Sequence, residues 1–83
     1  MNSREFNILR HREPFQPFRV ITVDGRAVDV VHPQLVMVLK DYVCIGIPRE
    51  GYNEPIFEHL ENVNYSDITK VEMLDADKAL QTK

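Results

Sequence analysis

The segment PFQPFRVITVDGRAVDVVHP, residues 14–33, decides the fold. Its centre, residues 18–23, is dense in β-branched and aromatic residues and predicts a strand. Asp24-Gly25 follows, the strongest short hairpin signal, and predicts a type I′ turn with positive φ at both residues. Residues 26–32 form the return strand, with Val28 and Val30 on one face and Asp29 on the other. Pro33 has no amide proton and stops the ladder. Ahead of the hairpin, two Pro-Phe pairs sit three residues apart. As an exposed polyproline ligand they would stand alone in solvent. Lying between two ordered elements, they read better as a clamp: Pro14 and Pro17 stiffen the connection, and Phe15 and Phe18 close an open end of the core.

Upstream, Asn2 and Glu5 stand in a capping-box spacing. Phe6 and Leu9 form an apolar stripe beside Ile8, and Pro14 disfavours helical geometry at Glu13. This predicts a helix over about residues 3–12, too short to be stable unless it packs on something. Downstream, residues 35–39 (LVMVL) and 42–47 (YVCIGI) read as strands joined by Lys40-Asp41. Residues 48–55 (PREGYNEP) are a loop bounded by prolines. Residues 56–63 (IFEHLENV) match helical spacing in part, but the bounding Pro55, Asn62 and Asn64 favour a strand. Residues 64–67 read as a turn or a single 3₁₀ turn, residues 68–74 as the last strand, and residues 75–83 as a frayed tail or short helix.

The expectation is one domain over residues 1–83: helix, barrel over about residues 18–74, and C-terminal tail. It is mainly β, a small SH3-like or Sm-like antiparallel barrel of five or six strands with a short N-terminal helix. A chain of this size buries roughly 60–65% of the surface that its unfolded form exposes. With so thin a core, association is a natural route to further stability.

The pattern in residues 14–39 resembles that of a group of short bacterial proteins. They share an N-terminal helix, Pro-Phe-x-Pro-Phe, a strand ending Asp-Gly-Arg, a His-Pro before the next strand, and an ending similar to SDITKVEML, residues 66–74. That resemblance implies a fold unit and no chemistry. The helix followed by VITVDGR, residues 20–26, is also similar in layout to Sm-like RNA-binding proteins. Their second signature has no counterpart in NVNYSDIT, and HPQLV stands where their RNA-contacting residues lie.

Charge is uneven. Residues 1–26 carry five arginines against Glu5, Glu13 and Asp24, and residues 27–83 carry five cations against ten acids, which together give the net −3. A net acidic chain is a poor nonspecific nucleic-acid binder, because such affinity comes largely from phosphate neutralisation. Arg10, Arg12, Arg19 and Arg26 keep phosphate contact as the alternative.

His11, His32 and His59 lack the local spacing of a helical metal site, so no metal and no cofactor are expected. Cys44 lies between apolar neighbours in a strand and reads as a small hydrophobe. As the sole cysteine it can form no intrachain disulfide, which together with charges close to the start suggests a cytoplasmic setting without membrane insertion. The pairs Glu58/Glu61 and Asp75/Asp77 read as solvated charge, and the glycines form no phosphate loop. No enzyme constellation emerges. The expected function is therefore a non-enzymatic interaction module, a homo-oligomer or assembly subunit whose partner is itself or another protein. Its candidate contacts are Val36 and Val38 in the LVMVL strand, and Arg49 and Tyr52 in the loop.

Overall fold

The computed structural model describes residues 1–49 and 57–74. The elements run α1 (Ser3–Arg10), β1 (Phe18–Thr22), β2 (Ala27–Val30), a 3₁₀ turn at Pro33–Leu35, β3 (Val36–Val38), β4 (Tyr42–Pro48), β5 (Phe57–Asn64), a second 3₁₀ turn at Tyr65–Asp67, and β6 (Ile68–Met73). Tyr52 and the 75–83 tail lie outside the described residues.

The capping box forms as its spacing requires. The Glu5 N–H donates to Asn2 Oδ1 at 2.9 Å, and the Asn2 N–H donates to Glu5 Oε1 at 3.2 Å. The helix stops at Arg10, two residues before the expected end, because His11 leaves helical geometry at φ −96° and ψ 11°.

The strands form two three-stranded antiparallel sheets, ordered β2-β1-β6 and β3-β4-β5. No ladder joins one sheet to the other among the described residues, so the expected barrel is not closed. The break falls at His32-Pro33, where the 3₁₀ turn takes Leu35 out of the strand and shortens the expected five-residue LVMVL element to three. Residues 57–64 are a strand, and Tyr65–Asp67 is the single 3₁₀ turn.

The first hairpin departs from a type I′ turn. Gly25 has φ +86°, but Asp24 does not have positive φ. The Gly25 N–H donates to the Thr22 carbonyl at 2.9 Å, and the Thr22 N–H to the Arg26 carbonyl at 2.8 Å. This is a three-residue loop, Val23-Asp24-Gly25, ending in a left-handed glycine. The Thr22 hydroxyl holds it by donating to the Asp24 carboxylate and accepting the Arg26 N–H at 3.1 Å. The Thr22 bond, followed by the Arg26 amide, keeps the Asp24 carboxyl below its ordinary range.

Phe18 and Val20 of β1, Val28 and Val30 of β2, Val36 of β3, Val43 and Ile45 of β4 and Val63 of β5 fill the core from both sheets. Phe6 of α1 plugs it. Its ring packs edge-on to Phe18 at 5.4 Å between centroids and lies 6.2 Å from Tyr65. Phe18 and Pro17 are buried, while Phe15 is half-buried against the core, with its ring 6.2 Å from Phe18. The clamp thus has a deep member and a shallow one, and Pro14 is exposed.

Two predictions follow from this packing. Phe6→Ala is expected to cost about 3–5 kcal/mol in denaturant unfolding, and Phe15→Ala clearly less, because solvent already reaches its ring. No atom lies within 4 Å of an ideal Cβ at Gly25, so a substitution there meets only backbone strain. Gly25→Ala is expected to cost about 1–2 kcal/mol. Gly25→Asn should cost less, since Asn tolerates left-handed geometry; equal losses for the two variants would mean that strain is not the cause.

Candidate interaction surface

The outward face of the β3-β4-β5 sheet carries several large apolar side chains beside Asn62 and Asn64. Register places Met37 opposite Cys44 and Leu60 opposite Gly46. Because side chains alternate between faces, these residues and Tyr42 oppose the buried Val36, Val43, Ile45 and Val63. The four large ones stay in solvent: Met37 is 62% exposed, Leu60 54%, Phe57 48% and Tyr42 38%. Ile8, Val23 and Met73 are also exposed, but on the helix, at the first turn and at the end of β6.

Phe57 joins this face through an irregularity. Unbroken alternation would put it on the same side as His59, Glu61 and the buried Val63. The register shifts between Ile47 and Pro48, so that Phe57 pairs with Pro48. A bulge of this kind re-aims a side chain. Phe57 then lies over Gly46, where an ideal Cβ would come 3.0 Å from Phe57 Cβ and 3.2 Å from Leu35 Cβ. Glycine is needed here for close approach, not for an unusual φ.

The expected contact residues fall differently. Val36 is buried in the chain's own core and Val38 packs against that core, so Met37 is the residue that β3 presents to solvent. Alternation in a three-residue strand leaves only its middle side chain outward, so β3 offers solvent Met37, between the expected Val36 and Val38. Arg49 is exposed just after β4. Phe57, Leu60 and Tyr42 escaped the sequence reading, because the bulge that gathers them has no local signature.

Three of the four arginines hold partners within the chain. Arg19 Nε contacts Asp29 Oδ1 at 2.6 Å, and Nη1 lies 3.9 Å from Glu72 Oε1. The Asp29 hydrogen bond, reinforced by its charge, raises the Arg19 pKa. Arg26 reaches from the first hairpin to β5, contacting Glu61 Oε1 at 2.9 Å and donating to the Asn62 carbonyl at 3.1 Å. Arg10 donates to the Val36 carbonyl at 3.2 Å and to Asn7 Oδ1 at 2.9 Å, and its Nε is buried without a partner. Arg12 is exposed.

Among the described residues, no group of three or more His, Cys, Asp and Glu is placed to hold a metal. No helix among them is long and apolar enough to cross a membrane. His59 Nε2 lies 3.4 Å from Glu61 Oε2 on the edge strand β5. Cys44 is half-buried on the outer face. No family model, curated protein or solved structure matches the chain.

Gly46→Ala tests how this surface is built. The new methyl group must displace Phe57 or Leu35. The expected loss is about 1–3 kcal/mol, the usual range for overpacking. Gly46→Ala combined with Phe57→Ala should recover part of that loss; a double variant no more stable than Gly46→Ala would show that Phe57 is not the obstacle.

Proposed function

We propose that this chain is a non-enzymatic interaction module, working as a homo-oligomer or assembly subunit through the outer face of β3-β4-β5. The carrying observation is the strip Met37, Tyr42, Phe57 and Leu60, four large apolar side chains exposed on one side of one sheet. Contiguous exposed apolar surface marks a binding site more often than scattered residues do. The opposite sheet offers a contrast. Its outer face carries Arg19 between Asp29 and Glu72, with Lys70 3.1 Å from Glu72, a neutralised and solvated ladder. A protein surface accounts for the arginines better than a phosphate-binding one, since Arg10, Arg19 and Arg26 already hold partners within the chain. The SH3-like or Sm-like plan belongs to the same reading. It is supported by β2 and β3 following each other as two halves of one strand broken at Pro33, and by the 3₁₀ turn leading into the last strand. On this reading the module acts in the cytoplasm and needs no cofactor.

Light scattering on a sizing column, with and without a mixed RNA and DNA pool, tests the proposal. The wild-type chain should run above monomer mass and take up no nucleic acid. Leu60→Asp and Met37→Asp, at positions that touch no core, should lower the mass while leaving the far-ultraviolet circular dichroism unchanged. A wild-type chain that is monomeric at every concentration would overturn the homo-oligomer and leave a different protein as the partner, and one that gains mass only with nucleic acid would overturn the whole reading.

A further inference from the structure

Three of the strand edges are protected. β3 is three residues long, and Arg10 meets its Val36 carbonyl. β2 is four residues long and runs into the 3₁₀ turn at Pro33. β6 has a register shift against β1 and exposes the Lys70–Glu72 pair, both of which discourage strand addition. β5 is the longest edge strand, at eight residues. Among the described residues it pairs only with β4, its edge carries one side-chain bond, from Arg26 to the Asn62 carbonyl, and a register shift near its start, and Phe57 to Leu60 are exposed on both faces.

The second hairpin settles which groups of β5 point outward. The Tyr42 carbonyl accepts the Leu39 N–H at 3.0 Å, so Tyr42 addresses β3. Backbone groups alternate sides along an antiparallel strand, so Val43, Ile45 and Ile47 address β5. Their register partners are Val63, Glu61 and His59, whose amides and carbonyls therefore point to β4. Leu60 and Asn62 direct theirs to the open edge. The bond from Arg26 to the Asn62 carbonyl agrees with this direction.

We infer that two copies of this chain pair along β5, antiparallel about a two-fold axis at Leu60, which extends the sheet across both chains. The inference rests on the proposed function and specifies its partner and register. A two-fold axis makes the same surface meet itself, so one strand must complement its own reversal. Only registers that set an outward-pointing residue opposite another outward-pointing one form a ladder. An axis at Glu61 opposes two carboxylates, and an axis at His59 opposes two imidazoles and sets Phe57 against Glu61. An axis at Asn62 sets Leu60 against Asn64. With the axis at Leu60, Leu60 meets its own copy and exchanges both backbone bonds with it. His59 of each chain then faces Glu61 of the other, and Glu58 faces Asn62, whose carbonyl exchanges the Arg26 guanidinium for the partner's Glu58 N–H. On the outer face Leu60 packs beside its own copy, and the apolar strip that includes Phe57 runs on from one chain into the other.

Amide hydrogen exchange across a concentration series reads this register directly. The Leu60 and Asn62 amides should exchange as unprotected groups in dilute protein and slow by about tenfold or more when concentrated. The His59, Glu61 and Val63 amides, already bonded to β4, should be protected throughout. In a Cys44→Ala background, Leu60→Cys should cross-link to its copy under mild oxidation, because directly opposed residues stand about 5.5 Å apart between Cα atoms, within disulfide reach. His59→Cys and Glu61→Cys should not. Association without slowing at Leu60 would overturn this inference while leaving the apolar face as the interface. Cross-linking at position 59 or 61 in place of 60 would overturn the register. A chain that never associates would overturn both the inference and the homo-oligomer of the proposed function.

Discussion

Three aromatic rings tie the molecule together. Phe6 comes from the helix, Phe18 from β1, and Tyr65 from the turn between β5 and β6, so one cluster joins elements distant in sequence. The Tyr65 hydroxyl extends the tie, donating at 2.7 Å to the Leu39 carbonyl at the end of β3. Burial raises the Tyr65 pKa, and the bond to Leu39 only partly offsets it. The neutral phenol is therefore the form the fold accommodates. A short helix has little stability in isolation. Here it persists because Phe6 is completely buried in a space that neither sheet fills. The helix in turn places Arg10 against the Val36 carbonyl, so the same contact that completes the core also covers one strand edge.

Local chemistry was legible in the sequence; long-range pairing was not. Asn2 and Glu5 announced the helix start, Asp24-Gly25 the first hairpin, and Pro33 the end of a ladder, because each acts within three or four residues. Even there, one neighbour changed the outcome. Thr22 supplies a hydroxyl to Asp24 and to the Arg26 amide, so the loop closes with three residues and only Gly25 takes positive φ. LVMVL was readable as apolar, but its meaning depended on Pro33 drawing Leu35 into a 3₁₀ turn and on an arginine 26 positions upstream. The charge excess of the first 26 residues proved a poor guide for the same reason. Arg19 faces Asp29 in the register of β1 with β2 and Glu72 in that of β1 with β6, pairings that a linear tally cannot contain.

The candidate surface was illegible because it rests on a register shift. In sequence, FEHLENV offers one isolated Phe and one isolated Leu among polar residues. With regular alternation the two would lie on opposite faces. The shift at Pro48 puts them on the same face, and Gly46 leaves room for the ring. Neither residue type alone reports this: glycine in a strand also signals a bend, and proline after a strand also signals a loop.

That construction bears on whether the strip is a leftover of a small core. An incidental exposed residue needs no special backbone, and Ile8 and Val23 have none. Phe57 does. Without the shift, its ring would point to the side of Val63, where more apolar burial would help a chain of 83 residues. Gly in a strand forgoes side-chain packing and gives up roughly 0.5–1 kcal/mol relative to Ala. The chain thus accepts a weakened β4 and a disrupted ladder to hold an aromatic ring in water on the face of Leu60, along the longest of the edge strands. Two departures from the most stable isolated chain converge on a single place. Burial against a further surface recovers both, which is the physical reason to seek the function of this protein along β5.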